Sequence, residues 1–405
     1  MNIKNLFYKD SIKQRYTKVK SNRQFSKRFN KIFLQIKKDI KNSNKTLNIL
    51  DNKFKFNYKI NDLKNFKKFK TIAIIGMGGS ILGSEAIFKF LQRKVKKKIY
   101  FFNDLNEKKI TDFRKKENFS KVLFIIISKS GNTIETLSNT FSLNILKKNS
   151  KNIILVSDKK NSLLYSLSKK LNLFYIEHKD TIGGRYSVLS EVGTVPAYLM
   201  GVNIFKLRSK ILNCMKEKNK ALLKSSTIKL ANLMKSKKIN NLIFLNYSLE
   251  LEKFLYWYQQ LIAESLGKNN FGFLPVISNV PKDHHSLLQL YLDGPRDKIF
   301  NIFSLESKTR EKVTLKKSFG INSFLNKKKL GVIKKAQKNS LIKAFIKKKI
   351  PFREFKIKIN NEEVLGELFS FFIIETIIIG KLLKINPFNQ PAVEQVKKYT
   401  KHLLN

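Results

Sequence analysis

Cysteine is almost absent from this sequence: Cys214 is the single one in 405 residues. That excludes an internal disulfide and points to a reducing compartment, so a cytoplasmic location is expected. Histidine is scarce as well, with four residues, two of them adjacent at His284 and His285. Adjacent side chains point in different directions and no HxxxH spacing or cysteine companion exists, so no metal site is expected. Long uninterrupted apolar runs are also missing. The most apolar stretch, residues 365–383, is broken by Glu367 and Glu375, and it reads as a helix buried between layers rather than a membrane span. The first residues contain no apolar core of a signal peptide, so none is expected.

Acidic residues are few, 29 Asp+Glu against 82 Lys+Arg, which leaves a formal charge of +53. Such a balance is a usual footprint of nucleic-acid binding. Its distribution argues otherwise: the lysine runs at 96–98, 327–329 and 347–349 are short, far apart and not interleaved with aromatics in a stacking pattern. Lysine-rich solvated faces are expected, with no specific nucleic-acid partner. A positive field would still speed encounter with anionic substrates.

The most informative stretch present is VLFIIISKSGNT, residues 122–133. A buried parallel strand would deliver Ser128, Lys129, Ser130, Gly131, Asn132 and Thr133 to its carboxyl end, where loop amides and a following helix N-terminus favour a bound dianion. The same design occurs in TIAIIGMGGSILGSE, where Gly76, Gly78, Gly79 and Ser80 follow strand residues 71–75. Its glycine spacing is wrong for a dinucleotide fingerprint. Two hydroxyl-bearing loops at the ends of two strands point to a small phosphorylated ligand.

From residue 71 the pattern alternates: strands at 71–75, 98–102, 121–127, 152–157 and 173–178, with helices near 80–93, 132–147 and 161–171. A second series has strands at 241–247, 272–278, 298–305 and near 352–359, and helices at 249–265 and 284–292. Two helices, 362–383 and 391–403, close the chain. Alternation of this kind specifies mostly parallel sheets covered by helices on both faces. The expected fold is α/β: two three-layer α/β/α sandwiches, flavodoxin-like, plus a helical N-terminal segment and C-terminal helices. The expected boundaries are 1–65 for the N-terminal helical segment, 66–205 and 206–385 for the two domains, and 386–405 for the last helix.

Four further segments could carry chemistry. Arg185, after Gly183 and Gly184, offers a fixed charged fork for a developing oxyanion. Gln260 and Glu264 lie four apart, hence on one helix face, and Glu264 is a candidate general base. One of the adjacent His284 and His285 could shuttle a proton. Gln390 and Lys397 lie seven apart and share a face of the last helix, whose first residue is Pro391.

Taken together, IGMGGS, SKSGNT, DTIGGRYSVLSEVG, QQLIAESLGK, HHSLLQL and FNQPAVEQVK resemble, in order, the glucose-6-phosphate isomerase (phosphoglucose isomerase) family, built from two sugar-isomerase (SIS) domains. The resemblance runs from about residue 71 to the C-terminus. It implies reversible isomerisation of glucose 6-phosphate to fructose 6-phosphate through a cis-enediolate, in glycolysis and gluconeogenesis, with neither metal nor organic cofactor. It implies that Glu264 moves the proton between C2 and C1, that Arg185 stabilises the enediolate, and that His285 and Lys397 open the sugar ring. By the same resemblance Gly79, Ser80, Ser128, Lys129, Ser130 and Thr133 hold the phosphate, and Gln260 and Gln390 position the sugar. It further implies a homodimer in which His285 reaches across the interface. Glu191 departs from the family pattern, which usually has a small residue or proline there, and Asn132 and Ile134 replace common threonines. Two alternatives stay open: an isomerase of the same fold acting on mannose 6-phosphate, alone or as a second substrate, and a non-catalytic sugar-phosphate-sensing regulator.

Overall fold

A computed structural model describes the chain apart from residues 1, 4–5, 13–18, 307–309, 316–323 and 405. The chain opens with two short strands, β1 (Asn2–Ile3) and β2 (Leu6–Asp10), before the helices α1 (Val19–Lys41) and α2 (Ile60–Lys64). The first alternating series is β3 (Thr71–Gly76), α3 (Leu82–Leu91), β4 (Lys98–Phe102), α4 (Glu107–Lys116), β5 (Val122–Ile127), α5 (Ile134–Ser142), β6 (Ile153–Ser157), α6 (Leu163–Lys170) and β7 (Phe174–Glu177). Helices α7 (Glu191–Met200), α8 (Ile204–Arg208) and α9 (Glu217–Ser236) lead to the second series. That series is β8 (Asn241–Asn246), α10 (Glu252–Leu266), β9 (Leu274–Asn279), α11 (His284–Asp293), β10 (Lys298–Leu305), α12 (Leu330–Lys347) and β11 (Phe352–Ile357). The helices α13 (Glu362–Leu382) and α14 (Pro391–Leu403) end the chain.

Among the described residues two sheets form. The first has the order β4-β3-β5-β6-β7, and every pairing in it is parallel. The second has the order β1-β2-β11-β10-β8-β9, parallel from β11 to β9. The N-terminal segment is largely helical as expected, but it opens on a strand that the sequence reading lacked. β2 pairs antiparallel with β11, Tyr8 opposite Phe355, and buries Leu6 and Tyr8 on alternate positions.

Burial on both faces explains the continuous apolar strands. In β5, Leu123, Ile125 and Ile127 enter the large central core, while Val122, Phe124 and Ile126 enter a second core on the opposite face. The second sheet divides in the same way, with Leu242 and Phe244 of β8 facing the central core and Ile243 and Leu245 facing away. The central core is shared by both halves, because α3 packs directly on α10 and α13 on α8 and α9.

Helix α13 lies inside this core, as its composition predicts, and its carboxylates are partnered. Glu375 accepts two hydrogen bonds from the wholly buried Arg353 of β11, at 3.0 and 3.1 Å, and one from Ser226 of α9. Glu367 accepts from Asn213. A buried carboxylate left unpaired would be strongly destabilising, so these partners are what let a polar-interrupted helix sit between layers. Among the described residues no helix is long and apolar enough to cross a membrane.

Candidate active site

The parallel pairing of β3 with β5 brings Gly76 opposite Ile127, so the loops after both strands emerge side by side. A Cβ at Gly76 would stand 2.9 Å from the Ile127 carbonyl oxygen and 3.3 Å from Ser80 Cβ, which places Ser80 beside the SKSGNT loop. In that loop the Ser128 and Thr133 hydroxyls are 2.9 Å apart. The exposed Ser130 accepts from the Asn132 amide. Lys129 donates to the Asp180 carbonyl at 2.7 Å, and burial pushes its pKa below the usual lysine range. Asn132, one of the departures from the family pattern, joins the loop to the start of α6 by donating to the Asn161 carbonyl and accepting from the Leu163 amide.

On its other side the Gly78-Gly79 turn touches two further segments. A Cβ at Gly78 would come within 2.8 Å of Gln260 Nε2, and one at Gly79 within 2.2 Å of the Gly184 carbonyl carbon. Only glycine permits the second approach. The 183–185 turn thereby rests against the glycine loop, and its arginine points toward α10.

Arg185 is 3% exposed and uses its whole fork. Nε donates to Ser265 Oγ at 2.9 Å, Nη1 to Glu264 Oε2 at 3.3 Å and to Gln390 Oε1, and Nη2 to the carbonyls of Pro387 and Asn389 at 2.7 and 3.0 Å. Five N–H groups thus meet five acceptors drawn from α10 and from residues 387–390. The other Glu264 oxygen accepts from Gln260 Nε2 at 2.9 Å, as the one-turn spacing on α10 allows. The Glu264 side chain keeps 29% exposure, so it is fixed from behind and open in front.

Three neighbours escape a reading of the sequence. Tyr186 donates to the Pro387 carbonyl at 2.7 Å and lies 2.8 Å from Ser265 Oγ. With its own proton committed to that carbonyl, the phenol accepts from Ser265, which itself accepts from Arg185. Burial pushes the Tyr186 pKa up, which keeps that donor protonated. Lys268 donates to the carbonyls of Asn386 and Asn389. Its pKa falls to about 8, through burial first and the charge of Arg185 second, against the opposing pull of Glu264. The adjacency of Tyr186 to Arg185 and of Ser265 to Glu264 is the only signal the sequence offers for the first two.

The structure therefore joins Arg185, Glu264, Gln260 and Gln390, and sets the glycine loop with Gly79 and Ser80 between them and the hydroxyl loop with Ser128, Lys129, Ser130 and Thr133. Among the described residues neither His285 nor Lys397 hydrogen-bonds to this cluster. His285 is exposed at the start of α11. Lys397, on a helix with no buried residue, pairs with Glu394 at 2.8 Å. Among the described residues no group of three or more His, Cys, Asp or Glu side chains could hold a metal ion.

The sequence profile described as phosphoglucose isomerase matches residues 30–405. A probable glucose-6-phosphate isomerase of Methanococcus maripaludis is 35% identical, with 87% of this chain and 82% of that protein covered. The glucose-6-phosphate isomerase of Methanocaldococcus jannaschii is 34% identical, with 83% and 84% covered. Among solved structures, a hypothetical protein of Thermus thermophilus superimposes with a TM-score of 0.79 at 21% identity, covering 98% of this chain and all of that one. A glucose-6-phosphate isomerase of Chlamydia trachomatis does so with a TM-score of 0.69 at 19% identity, covering 84% and 71%. With a profile match over most of its length and relatives above 30% identity, the chain belongs to the phosphoglucose isomerase family.

Proposed function

We propose that this protein interconverts glucose 6-phosphate and fructose 6-phosphate, a step of glycolysis and gluconeogenesis. The observation that carries the reading is the Glu264 carboxylate held between Arg185 and Gln260, with one open side. An aldose–ketose isomerisation oxidises C2 and reduces C1 of the same molecule, so it needs a base, a cation for the enediolate and an anchor, and no external oxidant or reductant. Glu264 takes the proton from C2, leaving a cis-enediolate, and returns it to C1, while the hydroxyl proton passes from O2 to O1. Arg185 is already fixed where negative charge develops, so no reorganisation accompanies the step. Ser80, Ser128, Ser130 and Thr133, with the backbone of Gly79 and Lys129, hold the phosphate far from the reacting carbons, so binding energy orients C1 and C2 against the base. Gln260 and Gln390 position Glu264, Arg185 and the sugar.

Ring opening is assigned to His285 and Lys397. The exposure of His285 at the start of α11 is compatible with a homodimer in which a second copy supplies it.

The test is a coupled assay of fructose 6-phosphate conversion with Glu264→Gln beside the wild type. The amide keeps an oxygen for Arg185 but cannot take a proton, so turnover should fall by roughly 10²–10⁴-fold while the sugar phosphate still binds. Full turnover in that variant would remove the proposed base.

A further inference from the structure

Glu191, where the family pattern has a small residue or proline, is wholly buried and faces an equally buried histidine. Glu191 Oε2 lies 3.8 Å from His178 Nδ1, both side chains have no exposure, and neither atom has a hydrogen-bond partner among the described residues. The other atoms of the pair are engaged. His178 Nε2 is 3.1 Å from the Ile182 carbonyl oxygen, which can only accept, so Nε2 carries a proton. Glu191 Oε1 accepts the Asn57 amide at 3.0 Å, and Asn57 Nδ2 donates to the Glu177 carbonyl. The two atoms thus face each other in a site that excludes water, close enough for a polar contact but beyond hydrogen-bond range.

The positions of the two residues give the pair its consequence. His178 holds the carbonyl of Ile182, immediately before Gly183, and Glu191 is the first residue of α7, one residue beyond the turn Gly184–Leu189. The pair thus closes the neck of the loop whose tip carries Arg185. The N-terminal arm reinforces the closure, through Asn57 and through Thr46, which donates to the Thr181 carbonyl at 2.6 Å. The charged and titratable groups facing the pair from the surrounding elements are Arg208 of α8, Tyr58 of the arm and, beyond Arg208, Asp51. Arg208 is itself spent on the carbonyls of Leu189 and Asp51.

We propose that His178 and Glu191 are positioning residues for Arg185: a buried clamp that closes the base of the 183–190 loop and holds the guanidinium against Glu264. The assignment of a kinetic consequence rests on the isomerase reading above; the clamp itself does not.

Glu191→Gln keeps an acceptor for the Asn57 amide and removes the carboxylate facing His178, and His178→Gln keeps a donor for Ile182. In each variant, kcat should fall roughly ten- to a hundred-fold, as for a catalytic group displaced by a fraction of an ångström to one ångström, with KM within about twofold because the phosphate loop is untouched. The double variant should lose less than the product of the single losses, since both act on one clamp. Amide hydrogen exchange over residues 183–190 should rise in both variants. A lowered melting temperature with unchanged kcat and unchanged loop exchange would reduce the pair to ordinary core structure and overturn the proposal. A wild-type protein that does not isomerise, with loop exchange still raised in the variants, would overturn the isomerase reading and leave the clamp standing.

Discussion

Lys268 follows Gly267 at the end of α10 and places its ammonium among the carbonyls of Asn386 and Asn389. The Asn389 carbonyl is shared with Arg185, so the segment leading into Gln390 is held by two cations. Because the folded pKa of about 8 lies below the ordinary 10.5, folding disfavours the charged form. The stability contributed by this group is therefore present at alkaline pH and lost as pH falls through 8. Activity should run the opposite way, since the charged form grips the segment that orients Gln390. kcat/KM is expected to fall along an alkaline limb centred near pH 8. Lys268→Arg, charged throughout, should remove that limb, whereas Lys268→Met should sit on its low plateau at every pH. An unchanged limb in the arginine variant would refute the assignment. Arg185, Gln260, Glu264 and Gln390 were legible in the sequence because they stand in ordered motifs. Lys268 was not, because one lysine among 82 Lys+Arg carries no signal until packing puts it beside Arg185.

At the scale of elements, the β5–loop–α5 unit depends on Gly131, which adopts a φ of +67°. A Cβ there would also lie 1.8 Å from Ser162 Oγ, the oxygen that caps α6 by accepting the Tyr165 amide. Gly131→Ala combines a left-handed backbone with a collision, and should cost about 1–3 kcal/mol in a denaturant titration. It should also raise KM for the sugar phosphate while leaving kcat at saturation within a fewfold, because it moves the hydroxyl loop and not Glu264. Equal loss in kcat would show that phosphate anchoring and proton transfer are not separable. Strands such as β5 were legible because both faces are buried, which makes the run apolar throughout. Helix α4 was missed because Phe113 alone marks its buried face, and α9 and α12 because lysines are interleaved with their apolar positions. Strand β2 was missed for another reason: its five residues pair along their whole length only with β11, at the far end of the chain.

For the whole molecule the open question is what covers α14. None of its residues is buried, yet Val393, Val396, Tyr399 and Leu403 are exposed apolar side chains on a helix that also carries Lys397. Leu274 at the start of the edge strand β9 is 64% exposed, and His285 opens the neighbouring α11. A second copy covering these surfaces would bury the apolar face and enclose His285 and Lys397, to which ring opening is assigned. Opposing this, each copy carries a formal charge of +53. Like-charge repulsion between copies is screened within a Debye length of about 8 Å at physiological ionic strength, while apolar burial is not weakened by salt. The dimer should therefore tighten as salt rises, the reverse of an interface held by ion pairs. Sedimentation at low and moderate salt should show the shift toward dimer, and specific activity at low protein concentration should rise with it. Val396→Glu together with Tyr399→Glu should give a folded monomer with reduced turnover. A protein that remains monomeric at every salt concentration and is fully active would place His285 and Lys397 outside the reaction, and ring opening would then fall to groups within the Arg185 cluster.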